Sequence, residues 1–203
     1  MDTPLTALAI SCTLKPSPAS SSSDLLAGQL LDALAEHGVT GDLVRAVDHD
    51  IRPGVEKDMG DGDQWPTLRQ RVLDADILVF VTPTWMGQHS SVAQRVLERL
   101  DAELSETDEQ GRPILFDKVA IAAVLGNEDG AHHISAILFQ ALNDIGYTIP
   151  AQTSVYWNGE AMQTVDYKDL DETPEAVSSA IATATRNAAH LARQLTAQAY
   201  PAE

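Results

Sequence analysis

Three short stretches concentrate the groups that can hold and orient a ligand. Residues 11–23, SCTLKPSPASSSS, carry Ser11, Thr13, Lys15, Ser17, Ser20, Ser21 and Ser22 ahead of an apolar helical pattern. Hydroxyls and free backbone N–H groups at a helix start make a phosphate cradle, although a solvated cap uses the same residues. Residues 82–91, TPTWMGQHSS, end an apolar run with Thr82, Pro83 and Thr84 and then place Trp85 and Met86 in a connection. Large apolar side chains are costly there unless they cover something, and Gly87 lets backbone approach a flat ligand closely. The structural alternative is that Trp85 packs under the helix beginning at Ser90. Residues 126–133, GNEDGAHH, hold Gly126 and Gly130 for tight backbone geometry, with Asn127, Glu128 and Asp129 as acceptors and one amide donor. A capped, solvated helix start is the plainer reading of this stretch. His132 and His133 beside the acids raise the question of a metal, but adjacent histidines diverge on a helix, so no metal site is assigned.

Other chemistries lack their patterns. The first stretch has neither the glycines of a Walker loop nor its Gly-Lys-Ser/Thr ending, and no GxGxxG follows any strand pattern. Cys12 is the only cysteine, which rules out an internal disulfide and a Cys-based metal cluster and fits a reducing cytoplasm.

The elements that must position these stretches follow from periodicity. Short apolar runs at 5–11, 77–83 and 118–126 read as strands covered on both faces. An alternating run at 42–48 and the run at 147–157, the latter at an edge because of Pro150, complete five strands. Helical periodicity covers 24–38, 65–76, 90–104, 132–146 and 173–199. Residues 49–64, with Pro, Gly and many charges, read as a long exposed loop. Strands alternating with helices predict one three-layer α/β/α domain spanning 1–203, with a parallel sheet. In such a sheet ligands bind beyond the carboxyl ends of the strands, and all three polar stretches follow strands.

Composition narrows the partners. The chain has 203 residues, 44% hydrophobic and 5% aromatic, so its core is built mainly of Ala, Val, Leu and Ile. Its net charge of -17 makes nucleic acid or an anionic membrane surface a poor partner. No stretch approaches the roughly 20 apolar residues of a membrane span, and the N-terminus lacks the cationic start of a signal peptide.

Taken together the three stretches resemble the flavodoxin-like superfamily, within its NAD(P)H-dependent FMN reductase and WrbA-type branch, over roughly residues 5–199. TPTWMGQHS is similar to the loop beside the flavin ring, GNEDGAHH to the loop on its other side, and SCTLKPSPASSSS to the loop that wraps the FMN phosphate. That last loop is longer than usual and lacks the common Arg after the first Ser, with Thr13 and Lys15 nearby instead. The resemblance implies a five-stranded parallel sheet of order 2-1-3-4-5. It also implies one FMN held by Ser11, Thr13, Lys15, Ser20, Ser21, Ser22, Pro83, Thr84, Trp85, Met86, Gly87, Gly126, Asn127, Glu128, Asp129, Gly130 and His132, with no residue acting as nucleophile. The implied activity passes electrons from NAD(P)H via FMN to a quinone or other small acceptor, in a cytoplasmic homodimer or homotetramer. The alternative is an electron carrier whose acidity suits docking to a basic redox partner.

Overall fold

The computed structural model describes residues 4–202. In chain order the elements are β1 (Leu5–Ser11), α1 (Ser22–Glu36), β2 (Val39–Arg45), α2 (Trp65–Asp74), β3 (Ile77–Trp85), β4 (Gln88–His89), α3 (Ser91–Leu100), β5 (Val119–Gly126), α4 (Ala131–Asp144), β6 (Ser154–Asn158) and α5 (Glu175–Ala197). Five strands pair in parallel in the order β2-β1-β3-β5-β6. Counting parallel strands alone, this is the flavodoxin-like order expected above, and the direction of winding reverses between β1 and β3. The sixth strand, β4, folds back antiparallel on the end of β3, pairing Thr84 with His89.

Alternation along the strands builds two cores. Leu8, Ile10, Leu78, Phe80, Ala122 and Val124 meet Leu68, Val72, Val96 and Leu138 on the face covered by α2, α3 and α4. Ala7, Ala9, Val79, Val81, Ile121 and Ala123 meet Leu26, Leu30, Leu34, Ile181 and Ala188 on the face covered by α1 and α5. Each fully buried Leu contributes about 1.5–3 kcal/mol, and period-2 strands between two helical layers bury both faces. The many alanines of β5 and α5 let helix and sheet approach closely.

Three elements differ from the sequence reading by more than two residues at an end. The second strand lies at Val39–Arg45 rather than 42–48, because Gly38, at φ 72°, ends the α1 turn at once and Val39 pairs with Leu5. Its expected tail closes into a 3-10 turn at Ala46–Asp48. The last strand is Ser154–Asn158 rather than 147–157. A turn at Ala151 and Gln152, with Gln152 at φ 59°, separates it from the isolated bridge of Thr148 to Val119. The helix expected over 90–104 stops at Leu100 and continues as a 3-10 turn to Ser105.

The 49–64 segment is pinned from within. Asp63 and Arg99 form an ion pair whose side chains are both fully buried. Arg99 also donates to the carbonyls of Arg52 and Glu56, while Asp63 accepts from the N–H groups of Arg52, Met59 and Trp65.

Candidate functional site

The carboxyl ends of β1, β3, β5 and β6 surround a cleft of about 200 Å³ at the winding reversal. Its first wall is the turn into α1. Ser21 caps the helix, its Oγ accepting from the Asp24 N–H at 3.4 Å. Ser22 and Ser23 occupy the first turn, where N–H groups have no intrahelical acceptor and face any bound anion with the positive end of the helix dipole. The buried Thr13 accepts the Lys15 N–H at 3.2 Å, which tightens the start of the loop, and Lys15 is an exposed cation at its edge.

The second wall is the end of β3, with Pro83, Thr84 and Trp85. Here the chain turns through two residues of positive φ, Met86 at 52° and Gly87 at 71°. Their N–H groups donate to the two Glu128 carboxylate oxygens at 2.8 and 3.0 Å, so the third loop clamps the second. The third wall is Gly126, Asn127 and Glu128. A Cβ on Gly126 would lie 2.8 Å from the Thr84 Cβ, and one on Gly130, at φ 137°, would lie 2.9 Å from the Gly87 Cα. These glycines are therefore required for the two loops to touch each other.

A fourth wall comes from the end of β6 and its connection to α5, which sequence reasoning did not assign to the site. Trp157, Asp166 and Tyr167 line the cleft. The Trp157 and Tyr167 rings lie 5.5 Å apart. The connection is tied down by Gly159 N–H to the Gly126 carbonyl (2.8 Å), Asn127 Nδ2 to Asp166 Oδ1 (3.2 Å) and Lys168 N–H to Ser22 Oγ (3.3 Å). Burial pushes the Tyr167 phenol up, and its O–H donates to Gln29 Oε1 at 2.7 Å. The signal in the sequence was positional only: this loop, like the other three, follows the carboxyl end of a parallel strand.

Of the residues named from sequence, Thr13, Lys15, Ser21, Ser22, Pro83, Thr84, Trp85, Gly126, Asn127 and Glu128 line the cleft together with Leu14, Ser23 and Leu125. Ser11, Ser20, Met86, Gly87, Asp129, Gly130 and His132 lie outside that lining. Ser11 is buried and donates to Asp24 at 2.5 Å. Ser20 and Asp129 are exposed. His132 is exposed and lies edge-on to Tyr156, with Nε2 3.2 Å from the phenol oxygen. Among the described residues no group of His, Cys, Asp and Glu is arranged to hold a metal ion.

This donor set fits a flavin mononucleotide. The α1 start suits the phosphate, and Trp85, Trp157 and Tyr167 supply apolar walls for a ring. Thr84 Oγ1 and Asn127 Oδ1 are buried beside the cleft with no hydrogen-bond partner among the described residues. A polar ligand that reaches them removes the cost of leaving them unpaired.

Residues 5–161 match the family model described as NADPH-dependent FMN reductase. Over 169 residues the chain is 44% identical to a Mycobacterium bovis protein named divalent metal cation transporter MntH, covering 81% of this chain and 25% of that protein. The chain thus spans a quarter of the length of that relative. It is 31% identical over 201 residues to the 8-demethyl-8-aminoriboflavin-5'-phosphate synthase of Streptomyces davaonensis, covering 94% of this chain and 78% of that protein. The crystal structure of RosB with bound 8-demethyl-8-formylriboflavin-5'-phosphate superposes with a TM-score of 0.87 at 31% identity, over 97% of this chain and 82% of that one.

Proposed function

The chain belongs to the NADPH-dependent FMN reductase family, and we propose on that premise that it oxidises NADH or NADPH and reduces a quinone or another small acceptor, with FMN as its cofactor. The observation that carries this reading is the meeting of a helix-start anion cradle, Ser21 to Ser23, with an aromatic-walled cleft at the winding reversal. Bound FMN would supply the redox centre. The protein's part is to hold and shield it. Ser22 and Ser23 would hold the phosphate, Trp85 and Trp157 would cover the ring, and Asn127 and Thr84 would meet its polar edge. The Glu128 clamp keeps the second and third loops at fixed spacing. The test is direct: flavin released by acid from the purified chain should be FMN, and anaerobic NAD(P)H oxidation should proceed on addition of a quinone. Release of FAD, or reduction that stops at one equivalent without turnover, would sink the reading.

The Mycobacterium relative widens the choice of acceptor. That relative is named for divalent cations, and one-electron reduction of a chelated ferric ion yields one, so a ferric chelate belongs beside quinones in the screen. The Streptomyces relative supports a second reading, in which FMN is the substrate and its ring is remodelled. Mass spectrometry of the flavin recovered after turnover separates the two, since a cofactor returns with unchanged mass. Exposed Trp85, which lines the cleft, and its neighbour Met86 support assembly as a homodimer or homotetramer, which sedimentation velocity checks; a cytoplasmic location is part of the same proposal. None of the described helices is long and apolar enough to cross a membrane.

A further inference from the structure

The helix start that would hold a phosphate carries an acid of its own. Asp24 lies in the first turn of α1, three residues after the cap. A carboxylate there competes for the same helix dipole and repels an incoming phosphate dianion. Arg45, the last residue of β2, answers that charge. Its Nε and Nη2 both donate to Asp24 Oδ2, the former at 2.9 Å, and Ser11 donates to the other carboxylate oxygen. The side chains of Arg45 and Asp24 are only 11% and 20% exposed, so water screens the pair weakly.

The rest of the guanidinium is spent on the loop. Nη1 donates to the carbonyls of Lys15 at 3.0 Å and Ala19 at 2.9 Å, on either side of the Pro-rich bend. Four donor contacts are thereby used, and they fix both ends of the segment that precedes the cap. Because amide C=O and N–H point in opposite directions across a trans peptide, holding the Ala19 carbonyl turns the Ser20 N–H away from Arg45.

Resting on the FMN reading above, we propose that Arg45 is a positioning residue that makes this helix start selective for phosphorylated flavin, by cancelling the charge of Asp24 and fixing the loop ahead of the cap. Arg45 does not bind the phosphate. Its effect on FMN passes through Asp24 and the carbonyls of Lys15 and Ala19. Riboflavin, which has the same ring and ribityl chain without the phosphate, should be nearly indifferent to the charge on Asp24.

The experiment is a pair of fluorescence titrations, FMN and riboflavin, into the full-length chain and its variants. Arg45→Met should raise the FMN Kd about tenfold or more and the riboflavin Kd by less than about threefold, as loss of a buried charge partner requires. Adding Asp24→Asn to Arg45→Met should restore part of the FMN affinity, the share lost to the uncompensated Asp24 carboxylate and not the share lost with the loop contacts. Equal weakening of both flavins, or failure of Asp24→Asn to restore FMN, would overturn the proposal. Asp24→Asn alone keeps an acceptor for Ser11 and keeps the test decisive if Arg45→Met does not fold. It should tighten FMN by about threefold with riboflavin unchanged, and no change in FMN affinity would likewise overturn the proposal. If the unaltered chain binds FMN no better than riboflavin, the FMN reading itself fails, and that outcome is distinct from the others.

Discussion

At the residue scale, the glycines and aromatics of the cleft loops make different demands. Gly130 carries φ 137° against the backbone of Gly87. Gly130→Val places a β-branched side chain in a region it resists and in contact with backbone that cannot yield. It should cost about 1–3 kcal/mol of stability and separate the loops, which a melt combined with an FMN titration would register as loss on both axes. Trp85 is 53% exposed, so Trp85→Ala should cost about 1 kcal/mol or less of stability while weakening FMN. Trp65 is fully buried, and truncating it should cost about 3–5 kcal/mol. Equal melting temperatures for the two tryptophan variants would contradict this assignment of surface and core.

At the element scale, the 49–64 segment has no strand or α-helix, yet it is held by one buried charge pair. Burial disfavours the Asp63 carboxylate, but the Arg99 guanidinium and the N–H groups of Met59, Trp65 and Arg52 outweigh burial and hold its pKa well below the usual carboxylate range. Asp63→Ala leaves the Arg99 guanidinium buried without its partner, so a loss of about 3–5 kcal/mol is expected from chemical denaturation. The pH dependence has a definite sign. A carboxylate with a lowered folded pKa binds fewer protons when folded than when unfolded. Its stabilisation is therefore present above the unfolded value of about 4 and is lost as pH falls below it. The unaltered chain should lose stability more steeply below about pH 4 than Asp63→Asn, and parallel acid profiles would remove Asp63 as the cause.

At the scale of the whole molecule, the charge of -17 sets the approach of small anions. A reduced nicotinamide dinucleotide is itself anionic, so the protein's field opposes its arrival. Raising ionic strength from about 0.01 to 0.1 M shortens the screening length from about 30 to 10 Å. On the proposed reductase activity, the second-order rate constant for reduction by NADPH should rise over that range in stopped flow. A fall would mean that a local basic patch, and not the net charge, governs the encounter.

The sequence by itself determined the layered parallel fold and the convergence of three polar loops. Apolar runs, period-2 and 3.6 patterns, and the rule that sites lie beyond strand carboxyl ends are all local or topological signals. It also pointed to the helix start now proposed to hold a phosphate, because Ser21 and Ser22 stand directly ahead of an amphipathic run. Only the tertiary structure decided which polar groups remain free for a ligand. Ser11 is consumed by Asp24 and Glu128 by the N–H groups of Met86 and Gly87. The fourth wall at Trp157, Asp166 and Tyr167 and the Arg45 brace also join residues far apart in sequence. Such pairings leave no periodic trace, since each depends on the register that brings two strand ends together. The shift of β2 and the shortening of β6 have the same origin: turn geometry at Gly38 and Gln152 decides where pairing begins, and propensity along the run does not.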